Sequence, residues 1–360
     1  HRIPKEKLEG ITGRGEVRYG GANLEQSNAA VVDVGTGNFV MHFDAYNRDS
    51  KNLRIPGNAI SNRLESANYW NPGGGTGAGT SEADPKRGIH EPYTTAHGRN
   101  KLLNSPSETK GGAVGASMIF DRGYAGVSYA KHQTKYGSVK EPGILLDMDT
   151  DRIDFASEIR DLGSFFERAK FRAAYTDYRH HEMGGDEIHS IFKNKGIDGT
   201  FELAHAQLVG LKGILGAQFD NGKFDAIGHE AFLPNSKTNS QSLYVYEELP
   251  LNQHKMTFGL RHGKHVVESK GGGEEDQFGN PSRKKFNTNN AAIGGLYALN
   301  EQWSLTGNLS HNERAPSYFE LFAKGVHIAT GTYQEGQPDL KKEKSNGLDG
   351  QIRWKSGQDS

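Results

Sequence analysis

Cysteine is absent from all 360 residues. Its absence excludes disulfides and thiolate metal sites, and it suits export through an oxidising periplasm. Long hydrophobic runs are absent too. Apolar residues make up 34 % of the chain and the mean hydropathy is -0.73. No stretch approaches the ~20 apolar residues of a transmembrane helix. A membrane wall built of strands is not excluded, because only every second residue of a strand meets lipid. Charge of one sign is also missing. The formal net charge is -1, no strongly basic run stands out, and nucleic acid is not expected as a partner. No signal sequence precedes His1, so an exported protein would have had one removed. There is no Gly-x-Ser-x-Gly, no phosphate loop and no His-Glu-x-x-His, so no enzyme is expected.

What is present is alternation. In Ile11–Tyr19, Ile11, Gly13, Gly15, Val17 and Tyr19 share one face and Arg14, Glu16 and Arg18 the other. Phe39, Met41, Phe43 and Ala45 alternate with His42 and Asp44, and Trp303, Leu305 and Leu309 with Ser304, Thr306, Asn308 and Ser310. The pattern continues to Leu348–Trp354, giving about fourteen strands. Short turns are expected near residues 36, 122, 163, 252 and 301. Long loops are expected over 50–106, 140–152, 183–192, 222–240, 268–286 and 313–345. Tight turns at one rim and large loops at the other imply an all-β fold, an antiparallel transmembrane β-barrel with a wet interior. A soluble barrel or propeller also alternates, but no blade-length repeat is visible.

Two boxes near the C-terminus carry a resemblance. Glu313-Arg314-Ala315-Pro316-Ser317-Tyr318 and Gln337-Pro338-Asp339-Leu340, followed by Glu343 and Ser345, resemble the paired boxes of TonB-dependent outer-membrane receptors. Gln337 departs from the Asn of the second box. Asp177–Glu182, with Phe192 and Asn194 after it, and the opening Arg2-Ile3-Pro4 are also similar to that family, within it to zinc-uptake receptors with haem receptors nearby. The resemblance spans about residues 2 to 355. It implies a Gram-negative outer-membrane barrel of about 22 strands around a plug. Here about fourteen strands and no plug are present, so residues 1–10 are expected to be the junction after a missing plug and 11–360 a partial barrel. The implied partners are outer-membrane lipid, a metal ion or metal complex as cargo, and the TonB–ExbB–ExbD motor acting through the plug.

Fifteen histidines invite a metal hypothesis. His180, His181, Glu182 and His189 form the densest cluster, with Asp186 and Glu187, and imidazole plus carboxylate suits zinc. On a strand His180 and His181 point to opposite faces; parity alone does not say which enters the lumen. A polar surface loop is the plainer reading of the same residues. His327, in Gly325-Val326-His327-Ile328-Ala329-Thr330, lies between the two boxes; the resemblance implies a haem axial ligand or a zinc ligand there. The plainer reading is a loop histidine bonded to backbone. His262 and His265, three apart, cannot chelate together from a regular strand. His90 and His97 sit in the longest loop. Arg314 and Pro316 are expected to shape their loop. Lys140–Arg152 lacks the His-rich insertion of zinc-type receptors. The expected function is uptake of a scarce nutrient, zinc first, then haem or a ferric siderophore, with no prosthetic group. An adhesive barrel or a passive porin are the rivals.

Overall fold

A computed structural model of the chain describes residues 2–59, 99–139, 143–228, 231–327 and 332–356; His90 and His97 fall outside them. The first strands are β1 (Leu8–Gly20), β2 (Glu25–Gly37), β3 (Phe39–Ser50) and the short β4 (Leu53–Asn58) and β5 (Arg99–Leu102). Then follow β6 (Ser107–Phe120), β7 (Gly123–Gly137), β8 (Ile144–Arg160), β9 (Phe166–Gly184) and β10 (Glu187–His205). Next come β11 (Lys212–Gly228), β12 (Ser236–Leu251), β13 (His254–Ser269), β14 (Ser282–Ala298) and β15 (Trp303–Arg314). The helix α1 (Tyr318–Phe322), the short β16 (Lys324–His327) and β17 (Thr332–Glu335), and β18 (Glu343–Trp354) complete the described chain. Fourteen strands form one antiparallel sheet in which each pairs with the next in sequence, β4–β5 and β16–β17 being separate hairpins. The sheet is not closed, β1 and β18 forming its two edges.

Because side chains alternate, the register decides what each face presents. Phe43 pairs with Val32 and Val114, Val114 with Tyr129, Tyr129 with Ile153 and Ile153 with Tyr175. Leu260, Ile293, Leu309 and Leu348 continue the same face. These side chains point away from the interior: Val17 is 79 % exposed, Leu243 68 % and Ile352 67 %. A contiguous belt of large exposed apolar residues would aggregate in water, whereas in a bilayer it is the lipid-facing wall. Aromatic rings flank it at the short-turn rim, where Trp303 and Trp354 lie 6.4 Å apart and Phe165 packs edge-on to Phe166. The opposite face is polar. Glu158 accepts from Arg160 at 2.6 Å and pairs with Lys170 at 3.3 Å, Tyr244 donates to Glu202 at 2.9 Å, and Arg261 to Gln218 at 2.7 Å.

The alternation of rims holds. Connections at Asn38, 121–122, 161–165, 206–211, 252–253 and 299–302 lie at one end of the sheet; those after β3, β7, β9, β11, β13 and β15 lie at the other. Several boundaries differ from the sequence expectation. Gly35-Thr36-Gly37 ends β2, and the turn is at Asn38. Residues 144–152 belong to β8, and the expected loop 183–192 is a turn at Gly185-Asp186 between two 19-residue strands. The strands run past the apolar belt at the long-loop rim. There apolar and polar residues no longer alternate cleanly, as in Ile144-Leu145-Leu146 of β8 and Ile191-Phe192 of β10, while the backbone ladder continues.

Residues 2–7 lie on the inner face near the short-turn rim. Ile3 is buried with Val40, Ile119, Tyr124 and Ala156. Arg2 pairs with Asp44 at 3.3 Å, and Asp44 accepts a contact from His42, whose other ring nitrogen is 2.7 Å from Asp33.

Candidate functional site

Arg314 ends β15 and reaches two elements at once. Its guanidinium donates to both carboxylate oxygens of Glu320, at 2.7 and 2.8 Å, and to Glu343 at 2.7 and 3.0 Å. A planar fork can do this; a point charge cannot. The two carboxylates hold the guanidinium pKa above its usual value, and Arg314 with the Ser317 amide holds the Glu320 carboxyl down at about 2. Next to them Glu313 accepts from Lys342 at 2.5 Å and from the Asn289 amide at 2.8 Å, and its carboxyl is likewise lowered to about 2. The two sequence boxes are thus stapled together, Glu313-Arg314 of the first to Lys342-Glu343 beyond the second. Asp339 pairs with Lys284 at 3.4 Å, and the Gln337 backbone amide donates to the Glu320 backbone carbonyl at 2.9 Å.

Between the staples, Ser317 caps α1 in a reciprocal capping box with Glu320. The Ser-x-x-Glu spacing was readable in the sequence and marks a helix start that the expectation of an unstructured loop missed. The helix turns inward. Leu321 and Phe322 bury against Val267 of β13, with Phe286 and Leu340 packed round them, and Ala323 against Phe232 and Leu233. Below Ala315–Tyr318 lies a cavity of about 340 Å³ whose wall includes Asp220, Thr238, Ser240 and His265. His265 points inward, 3.0 Å from both Ser240 and Thr288; His262 points outward to Asn289, so the pair occupies opposite faces as expected.

His180 faces the lumen and His181 the outside, which removes His181 from any shared site with its neighbour. His180 sits 2.8 Å from Tyr178 Oη, packs tilted against Phe192 with ring centroids 4.7 Å apart, and its Nε2 is 3.9 Å from Glu182. It lies beyond the belt, five residues past Tyr175. Burial, reinforced by His181, lowers its pKa to about 4, so the ring is neutral at pH 7. His189 is on β10 at a register irregularity rather than in a loop, with its ring over Gly184, where a Cβ would come within 2.5 Å. Among the described residues no group of three His, Asp or Glu side chains converges to hold a metal.

From His180 an aromatic ribbon crosses the inner wall. Phe192 meets Phe224 at 6.2 Å and Phe224 stacks on Tyr318 at 5.1 Å. Phe232, packed on the same cluster, stacks on His327 at 4.6 Å. The structure therefore places both candidate histidines, His180 and His327, on one aromatic surface at the long-loop end of the lumen. Sequence reasoning missed the ribbon because Phe192, Phe224 and Tyr318 are far apart in the chain and meet only where β10 pairs with β11 and α1 folds inward.

Residues 27–360 match the family model described as TonB dependent receptor-like, beta-barrel. The chain belongs to the TonB-dependent receptor barrels. Members of that family are outer-membrane transporters of Gram-negative bacteria, not enzymes. Solved structures with the same fold include the copper transporter OprC (TM-score 0.72, 12 % identity, 98 % of this chain and 53 % of that one). The FrpB iron transporter of Neisseria meningitidis aligns with TM-score 0.66 at 13 % identity, over 98 % and 54 %. The Serratia marcescens hemophore receptor HasR, solved with its hemophore and heme, aligns with TM-score 0.64 at 12 % identity, over 96 % and 51 %. The chain spans about half the length of each.

Proposed function

We propose that this receptor barrel forms part of the wall of a TonB-dependent transporter, and that its cargo is a metal carried inside a flat or aromatic organic complex. The ribbon His180–Phe192–Phe224–Tyr318, continued by Phe232–His327, carries this reading. Aromatic faces recognise conjugated ligand shells by offset stacking, and a neutral imidazole at either end can bond iron, copper or zinc. Haem or a ferric siderophore with aromatic groups satisfies both features. Energy would come from TonB acting through a plug, and the packing of residues 2–7 inside the wall supports reading the segment before β1 as the junction to it, the wall itself starting at Leu8 rather than at residue 11.

Bare zinc is the second reading. It is favoured by His180 and Glu182 sharing the inner face with His189 over Gly184; tetrahedral zinc needs further ligands from elsewhere.

Titration of the purified protein with haem, with a ferric catecholate and with zinc separates the two. At least one complex should bind, with affinity falling tenfold or more, about 1.4 kcal/mol, when Phe224 and Tyr318 become Ala. A Soret band lost in His327→Ala would identify haem. Stoichiometric zinc binding lost in His180→Ala/Glu182→Ala, with no uptake of either complex, would replace the first reading with the second. Binding of none of the three would overturn both.

A further inference from the structure

Phe224 and Tyr318 form one wall of the hollow under Ala315–Tyr318, and the aromatic ribbon does not account for the rest of its lining. Three rungs of the inner face build it. The upper rung sets Asn194 of β10 opposite Phe224 of β11, on which Tyr318 stacks. The middle rung sets Gly196 opposite Gly222, and Gly222 opposite Thr238 of β12. The lower rung sets Asp198 opposite Asp220, Asp220 opposite Ser240, and Ser240 opposite His265 of β13. Phe224 and Asp220 are four residues apart, which at ~3.3 Å per residue separates the aromatic and acidic rungs by roughly 13 Å.

The glycine pair has no conformational cause. Neither glycine adopts a left-handed φ, and β10 and β11 pair here without a register shift. Glycine inside a strand weakens it; where no bend or bulge calls for it, it marks a place kept free for something to approach the backbone. A Cβ on Gly222 would meet no atom within 4 Å, and one on Gly196 would come no nearer than 3.3 Å to the Asn221 carbonyl oxygen. The floor of the hollow is therefore bare backbone, open to the lumen.

Asp198 and Asp220 face each other across the ladder, and like charges so placed repel. Neither makes a hydrogen bond or an ion pair among the described residues. Arg152 of β8 is committed to Asp154 at 2.8 Å and to Thr176 at 3.1 Å. A bare metal ion would not complete its shell here. Both ring nitrogens of His265 are engaged at 3.0 Å, by Ser240 and Thr288, and no three His, Asp or Glu side chains converge among the described residues. A cation that brings its own N–H donors meets the two carboxylates without needing further ligands.

We propose, resting on the reading of the ribbon as a cargo surface, that this hollow binds an organic cation: a protonated amine carried on an aromatic ring by a short chain. The ring lies over the glycine floor against Phe224 and Tyr318, and the ammonium group reaches Asp220 and Asp198. Stacking and the attraction of a cation to aromatic faces hold one end, and charge-assisted hydrogen bonds hold the other. The cargo thus presents a positively charged arm on its ligand shell, and the wall selects it by charge as well as by flatness.

The test titrates the purified protein in neutral detergent with tyramine, with tyrosol (a hydroxyl in place of the ammonium) and with n-butylamine, reading affinity by ligand-observed NMR. Tyramine should bind about tenfold or more tightly than either of the others, and more weakly as salt rises. Asp220→Asn should remove the preference for tyramine over tyrosol. Gly222→Leu, which fills the floor, should remove binding of both. Unchanged gel mobility of the unheated variants shows that the wall still folds. Equal binding of tyramine and tyrosol, or a preference kept in Asp220→Asn, would overturn the proposal. So would n-butylamine matching tyramine, because the ring wall would then play no part, or zinc displacing tyramine at equal concentration, because the carboxylates would then hold metal. Haem or the ferric catecholate binding without any tyramine preference would remove the cationic arm alone. Tyramine binding left intact by Phe224→Ala/Tyr318→Ala would remove the cargo surface itself.

Discussion

Arg314 shows how much one side chain can organise when its geometry is planar. It links the end of β15, the start of α1 and the start of β18 through two carboxylates. Replacing it by Lys keeps the charge but loses the bidentate grip. The pair is largely exposed, so solvent screening limits the cost to about 1 kcal/mol, about a fivefold rise in the opened loop. The same staple has a defined acid limit. Glu313 and Glu320 titrate near 2 when folded, against 4.5 when free. Carboxylates with lowered folded pKa values stabilise above the free value and lose that contribution as pH falls toward the folded one. Protection of the α1 amides against hydrogen exchange, corrected for intrinsic rate, should hold from pH 7 to about 4.5 and decline between there and 2. Undiminished protection at pH 2 would contradict the staple. The residue types were legible in the sequence and so was the resemblance of the two boxes. Their partners were not, because Glu320 and Glu343 are neighbours of Arg314 only after the chain has turned inward and returned.

At the scale of elements, the strands in the belt were readable because each alternates apolar with polar. The same strands above the belt were read as loops, since apolar and polar residues there no longer alternate cleanly, as in Ile144-Leu145-Leu146 and Ile191-Phe192. His189 and Phe192 illustrate the consequence: both sit on β10 where loop was expected, Phe192 opposite His180 of β9 and His189 at the irregularity between Ile188 and Ser190. Pairing also constrains the turns. Gly123 opens β7 at φ +156, and a Cβ there would come within 1.8 Å of the Glu158 carbonyl across the β7–β8 ladder. Gly123→Ala should therefore displace that rim of the ladder and destabilise the wall by about 2 kcal/mol or more. The expected sign is a lower temperature at which the unheated gel species converts to the unfolded one; an unchanged temperature would show that the turn absorbs the methyl group.

For the whole molecule, one physical fact organises the rest: greasy side chains face outward and charged ones inward, the reverse of a soluble domain. From it follow the belt and the wet interior with its aromatic ribbon. The most direct test is site-directed spin labelling in lipid bilayers, with single cysteines placed in a chain that has none of its own. Val17→Cys, Phe43→Cys, Leu305→Cys and Ile352→Cys should carry labels relaxed by dissolved oxygen, which concentrates in hydrocarbon. Asp44→Cys and Thr306→Cys, one residue away, should respond instead to a water-soluble nickel complex. Equal response of neighbours to the nickel complex, or labels at Val17, Phe43, Leu305 and Ile352 shielded from both reagents, would contradict the membrane wall.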